Sequence, residues 1–116
     1  HRLSSTSFSM LLVRVSDSRR YGLVQMNDLQ QVTGFLEKPT DKIGSYGLIN
    51  AGTFLIERNV VEAFPPQIPL SMETNIIPSL VSSRVHGFVS GGRFIDIGTP
   101  ASYLEASEFF KELDLR

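Results

Sequence analysis

The sequence predicts an α/β fold, a mixed sheet flanked by helices. Three observations predict it. The first half holds short, apolar, β-prone runs, two of them only a few residues apart. In the second half strand-like and helix-like segments alternate. The end of the chain turns to helical spacing behind a Thr-Pro start signal.

Met10 to Val15 is short, apolar and β-branched toward its end, and reads as a buried strand. Ser16 to Arg20 is a polar loop. Tyr21 to Met26 is a second strand, interrupted early by Gly22, and Asn27-Asp28 is a turn signal. Gln31 to Lys38 is a third strand, stopped by Pro39. Its short connection to the second predicts antiparallel pairing. Gly47 to Ile56 is a fourth strand with an unusual Asn50-Ala51-Gly52 centre. Arg58 to Phe64 reads as a short helix, after which Pro65, Pro66 and Pro69 force an extended loop. Ile76, Ile77, Leu80 and Val81 give Glu73 to Ser82 helical spacing, with Pro78 tolerated only near a helix start or at a kink. Val85 to Val89 is a strand, Gly91-Gly92 a turn, and Phe94 to Ile97 a further short strand. From Pro100 the chain is helical: Thr99 is the N-cap, Pro100 the first helical residue, and Tyr103, Leu104, Phe109, Phe110 and Leu113 the apolar contacts.

The chain has 116 residues, enough for one core. With no repeat, low-complexity tract or linker-like composition, residues 1–116 read as one unit. Hydrophobic residues at 41% and charged residues at 20% belong to a globular domain. Eleven basic against twelve acidic residues leave no excess for a nucleic-acid backbone. The absence of cysteine excludes a disulfide framework, a thiolate zinc site, an iron–sulfur cluster and a cysteine nucleophile. Two histidines leave little for a His-based metal site. There is no apolar run of membrane-spanning length and no signal-peptide pattern at the start. The expectation is a soluble, cytoplasmic domain. The opening His1-Arg2-Leu3, without Met, reads as a segment of something longer.

Few residues stand out for chemistry. Glu37-Lys38-Pro39 puts two opposite charges at a strand end, either a solvated pair before a turn or ligand contacts. Asn50 and Gly52 interrupt an apolar strand. They are either a bulge with the amide bonded to nearby backbone, or a place where sugar hydroxyls meet an amide and close backbone. Asp96 lies between Ile95 and Ile97, whose burial would require the carboxylate to be paired, hydrogen-bonded or on a hard cation such as Mg²⁺. Capping of the following helix is an alternative, and one carboxylate is not a metal site. Glu73 reads as a first-turn helix residue that complements the dipole, with ligand contact as the alternative. Arg20-Tyr21-Gly22 could clamp a ligand, although Tyr21 suits packing. Gly91-Gly92 has no helix signal behind it and is not a phosphate loop.

In order, Arg20-Tyr21-Gly22-Leu23-Val24, Phe35-Leu36-Glu37-Lys38-Pro39, Ile49-Asn50-Ala51-Gly52-Thr53-Phe54, Ser71-Met72-Glu73 and the stretch Phe94 to Tyr103 resemble the carboxyl-terminal half of sugar-phosphate nucleotidyltransferases. The resemblance runs from about Met10 to Ala106. It implies half of a Rossmann-like, GT-A-like domain: the sugar-phosphate side, with the nucleotide-binding half upstream of a point matching His1. The implied partners are a nucleoside triphosphate and a sugar 1-phosphate, and the implied cofactor is Mg²⁺. Gly22 matches a glycine whose backbone approaches the sugar. Glu37 matches the acceptor of sugar hydroxyls, and Lys38, placed as the catalytic residue, matches the lysine that meets the sugar phosphate. Asn50 and Gly52 match the strand lining the sugar pocket. Asp96 matches one of two aspartates that hold the metal. Gly47 to Tyr103 looks most like guanylyltransferases acting on manno-configured sugars or heptose 1-phosphate. Thymidylyltransferases acting on glucose 1-phosphate, and a non-catalytic scaffold of the same fold, are the alternatives.

Three structural expectations follow. Glu37, Lys38, Asn50 and Asp96 should converge on one cleft at strand ends. A half-domain should leave an edge or face of its sheet uncovered, inviting a homo-oligomer. The last helix should pack by its aromatic face.

Overall fold

Five strands form one mixed sheet: β1 (Phe8–Val15), β2 (Leu23–Met26), β3 (Val32–Leu36), β4 (Gly47–Ile56) and β5 (Val85–Ser90), in the spatial order β3-β2-β4-β1-β5. The computed structural model describes residues 1–18, 20–36, 46–66, 69–81 and 85–111. The strand β1 is antiparallel to β4 and parallel to β5. The β2–β3 pair is antiparallel, as its short connection requires, and joins β4 through Leu23 opposite Ile49.

Alternation along β1 divides the sheet into two faces. Phe8, Met10 and Leu12 point into a buried cluster with Val24, Val32, Val85, Ile76 and Ile77. Burying each such side chain contributes about 1.5–3 kcal/mol. Val60 of helix α1 (Arg58–Glu62), Phe64, Leu70 and Met72 pack against the same cluster. On the opposite face Val13 and Ile49 pair and are buried. Farther along that face Leu55 and Phe88 each remain 60% exposed.

The hairpin between β2 and β3 turns on Asn27. Its Oδ1 accepts from the backbone N–H groups of Leu29 (3.0 Å) and Gln31 (2.9 Å). The turn carries Gln30 and Gln31 to the outer edge of β5, where Gln31 bridges His86 and the Gly87 N–H donates to the Gln30 carbonyl at 2.8 Å. The surface left uncovered among the described residues includes a face, around Leu55 and Phe88, and the outer side of the edge strand β3, while the edge of β5 is covered at His86–Gly87.

Three expectations about elements need correction. The helix expected over Glu73 to Ser82 is two short turns: a π-helical turn, Met72–Ile76, followed by helix α2, Ile77–Leu80. Pro78 has no N–H and sits in the first turn of α2. Just ahead of it, Ile76 and Ile77 bond five residues back, to the carbonyls of Ser71 and Met72.

Phe94 to Ile97, expected as a strand, pairs with no strand among the described residues. Asp96 closes a local turn there by accepting from the Gly98 N–H at 2.9 Å.

Helix α3 (Pro100–Lys111) starts as predicted. The Ser102 N–H donates to Thr99 Oγ1 and the Thr99 N–H to Ser102 Oγ, both at 3.2 Å. Its aromatic face is not buried: Tyr103, Leu104 and Phe110 are exposed. Phe109 is only partly covered, with its ring 4.5 Å from the Arg93 guanidinium and 5.4 Å from the Phe110 ring. Phe109→Ala should therefore lower stability by about 1 kcal/mol, below the about 3–5 kcal/mol of a fully buried ring. Urea titration measures this directly, and a loss above about 3 kcal/mol would contradict it.

Candidate functional site

The parallel strands β1 and β5 end on the same side of the sheet, where open α/β sheets place ligands. The chain leaving β1 carries Arg20, Tyr21 and Gly22, and the chain leaving β5 carries Phe94 and Asp96. Arg20 Nη2 donates to Asp96 Oδ2 at 3.1 Å and ties the two together. The Tyr21 ring lies edge-on to Phe94, with centroids 6.2 Å apart, and 5.7 Å beneath the Arg20 guanidinium. Burial, followed by the charge of Asp96 and a hydrogen bond with it, pushes the Tyr21 hydroxyl above its ordinary 10.0, against the opposing charge of Arg20. At neutral pH that hydroxyl is a donor. The neighbours of Asp96 are less buried than expected, since Ile97 is exposed. Its carboxylate is nevertheless paired with Arg20 and hydrogen-bonded to the Gly98 N–H.

A cleft of about 470 Å³ opens beside this pair, lined by Arg20, Tyr21, Gly22, Phe35, Leu36, Asn50, Glu73 and Thr74. A bulge in β4 presents Asn50. Met10 faces Phe54 and Leu12 faces Asn50, so Ala51, Gly52 and Thr53 stand against Leu11 alone. Asn50 Oδ1 accepts from the Gly52 N–H at 2.9 Å. Gly52 has φ +73°, a left-handed conformation that glycine adopts without strain. Gly52→Ala should lower stability by about 1–2 kcal/mol, although a Cβ there meets no atom within 4 Å. An unchanged melting temperature would show that the bulge relaxes freely.

The Asn50 amide donates to Glu73 Oε1 at 3.5 Å, and Glu73 Oε2 accepts from Ser71 Oγ at 3.3 Å. Both readings of Asn50 are therefore compatible: its oxygen serves the bulge while its amide faces the cleft. Gly22 has neither a positive φ nor a crowded surrounding. Among the described residues a Cβ there would meet only the Leu36 carbonyl at 3.6 Å, an ordinary contact. Packing among the described residues does not demand glycine at this position.

Gly22 and Asn50 thus share the cleft, and Asp96 adjoins it through Arg20. Gly52 does not line it and acts through the bulge. Glu37 and Lys38 lie outside the described residues, and Leu36, which precedes them in sequence, lines the cleft. Sequence reasoning held ligand contact for Glu73 only as the second alternative and did not single out Thr74, and both line the cleft. The available signal was the Ser71-Met72-Glu73 motif itself, which was read as a helix start. A wider depression of about 570 Å³ lies at the opposite end of β1 and β5, where residues 1–6 meet His86 and Gln30. No carboxylate stands among its described lining residues.

No group of three or more His, Cys, Asp or Glu side chains among the described residues could hold a metal. Asp96 offers one oxygen ligand. Mg²⁺ is commonly held by one or two carboxylates, with water and phosphate oxygens completing its shell. The described residues fit one ligand of such an ion, not a whole site. No helix among them is long and apolar enough to cross a membrane.

Residues 1–112 match the family model described as nucleotidyl transferase. A mannose-1-phosphate guanylyltransferase of Mycobacterium tuberculosis is 33% identical over 92% of this chain and 30% of its own length. A D-glycero-alpha-D-manno-heptose 1-phosphate guanylyltransferase of Campylobacter jejuni is 28% identical over 88% of this chain and 45% of its own. The crystal structure of HddC from Yersinia pseudotuberculosis complexed with GMP-PN superposes with a TM-score of 0.73 at 30% identity, over 91% of this chain and 45% of that one. The chain thus spans less than half the length of these relatives.

Proposed function

Since the chain belongs to the nucleotidyl transferase family, we propose that it forms the sugar-phosphate side of a sugar 1-phosphate nucleotidyltransferase. The complete protein joins a nucleoside triphosphate to a sugar 1-phosphate and releases pyrophosphate. The observation that carries this reading is the cleft at the strand ends, where Gly22 and Asn50 stand beside the Arg20–Asp96 pair. Amide and carboxylate groups suit sugar hydroxyls, and a glycine that no described neighbour crowds leaves room for close approach.

A phosphate oxygen of the sugar 1-phosphate attacks the α-phosphorus of the triphosphate. The new P–O bond forms as the bond to the β-phosphate oxygen breaks, and pyrophosphate leaves with that electron pair. The chain's own residues bind and orient: Glu37 and Asn50 at the sugar hydroxyls, Lys38 at the sugar phosphate. Asp96 is the one described residue that would hold the family's divalent cation, which supplies neutralisation of phosphate charge when bound. Positioning and charge neutralisation account for most of the acceleration. The relatives named as mannose- and heptose-1-phosphate guanylyltransferases support guanylyl transfer to a manno-configured sugar or heptose phosphate.

The test is Mg²⁺-dependent pyrophosphate release by the complete protein, with GTP, dTTP, UTP, CTP and ATP crossed against mannose, glucose and heptose 1-phosphates. GTP with the mannose or heptose ester should be the active pair. dTTP with glucose 1-phosphate would instead identify a thymidylyltransferase, and silence from a folded protein would favour a scaffold. The 116 residues alone should release no pyrophosphate, and detectable release would overturn the division of labour proposed here.

A further inference from the structure

The reading above leaves Arg20 without a role, yet its position is specific. It lines the cleft with Asn50 and Gly22, and it is the only cationic side chain among the described lining residues. Its guanidinium lies over the Tyr21 ring. One nitrogen, Nη2, is engaged with Asp96. A guanidinium carries five N–H donors in a planar fork that matches phosphate.

The pair it forms is open to exchange. The Arg20 and Asp96 side chains are 49% and 34% exposed, and ion pairs so exposed to water are weakly held. Asp96 has a second, independent tether, because its Oδ1 is held by the Gly98 N–H while Arg20 takes Oδ2. If Arg20 turned away, the carboxylate would keep its orientation. A phosphate group carries more charge than a carboxylate and offers more acceptor oxygens, so it competes well for the fork.

We propose that Arg20 binds the phosphate group of the sugar 1-phosphate, exchanging its contact with Asp96 for the incoming ester. Resting on the function proposed above, this deepens it: the Arg20–Asp96 pair is the closed form of a phosphate subsite, and the ester opens it. The same fork could meet a phosphate of the triphosphate. The sugar ester is favoured because Arg20 shares its cleft with Asn50 and Gly22.

The experiment is calorimetric titration of the complete protein in metal-free buffer, with mannose, glucose and heptose 1-phosphates and separately with GTP. Arg20→Gln should weaken binding of the preferred ester by about ten- to a hundred-fold, and Arg20→Lys should recover part of the loss. Asp96→Asn should have the opposite effect and tighten the ester a few-fold, since it removes the competing carboxylate. Affinity for GTP should be unchanged in Arg20→Gln. Unaltered ester binding by Arg20→Gln, a loss confined to GTP, or weakening by Asp96→Asn equal to that of Arg20→Gln would each overturn the role of Arg20. If the folded wild-type protein binds none of the esters, the proposed function itself fails, and the phosphate subsite with it.

Discussion

Replacing Asp96 by asparagine in the complete protein should lower kcat by about 10²–10³-fold with little change in stability. The two effects separate because the two carboxylate oxygens have different duties. Asparagine keeps an oxygen that can accept the Gly98 N–H, so the turn before α3 persists. It removes the negative charge that Arg20 now meets and that a divalent cation would need. The exposed pair with Arg20 contributes at most about 1 kcal/mol to folding. Thermal melting should therefore stay close to wild type while pyrophosphate release collapses. Turnover within about threefold of wild type would remove Asp96 from the reaction. A large fall in melting temperature would make it a structural residue. Asp96→Ala serves as the comparison, because it loses the turn as well as the charge.

Ile77→Ala should have the largest effect on stability, about 2–5 kcal/mol. Ile77 is fully buried at the junction of the π-helical turn and α2, in the cluster with Phe8, Met10, Leu12 and Val85. Truncation removes its transfer free energy and leaves a cavity against a rigid sheet. A domain's whole stability is typically about 5–15 kcal/mol, so the variant would sit near its unfolding threshold. The effect should also reach the cleft, because Glu73 and Thr74 stand on the turn that Ile76 and Ile77 anchor. Urea unfolding read by far-UV circular dichroism measures the loss. A value under about 1 kcal/mol would mean that this segment packs against the sheet without Ile77.

How legible the molecule was depends on how local each determinant is. The bounds of β4 were readable to the residue because Gly47 opens the β-prone run and the charged Glu57-Arg58 follows Ile56. The start of α3 was equally readable, since a Thr cap and a Pro at the first position act within one turn. Phe94 to Ile97 misled, because isoleucines and a phenylalanine look like a strand whether or not a neighbour exists to pair with them. The segment after Ser71 misled for a related reason: apolar spacing suggested one helix, while Pro78 set how the turns before it bond. Glu73 was assigned to a helix dipole, although its carboxylate meets Asn50 from a strand 23 residues earlier.

By itself the sequence determined the mixed α/β class, the β2–β3 hairpin, the cap of α3, the lack of any thiol chemistry and the resemblance that names the family. These follow from local propensity, turn chemistry and residue types in order. Only the tertiary structure decided that Arg20 meets Asp96 across 76 residues, that the β4 bulge turns an amide toward Glu73, and that the aromatic face of α3 stays largely uncovered among the described residues. The physical reason is that such contacts depend on sheet order and register. These are set by which faces bury together, not by the conformational preference of any one segment.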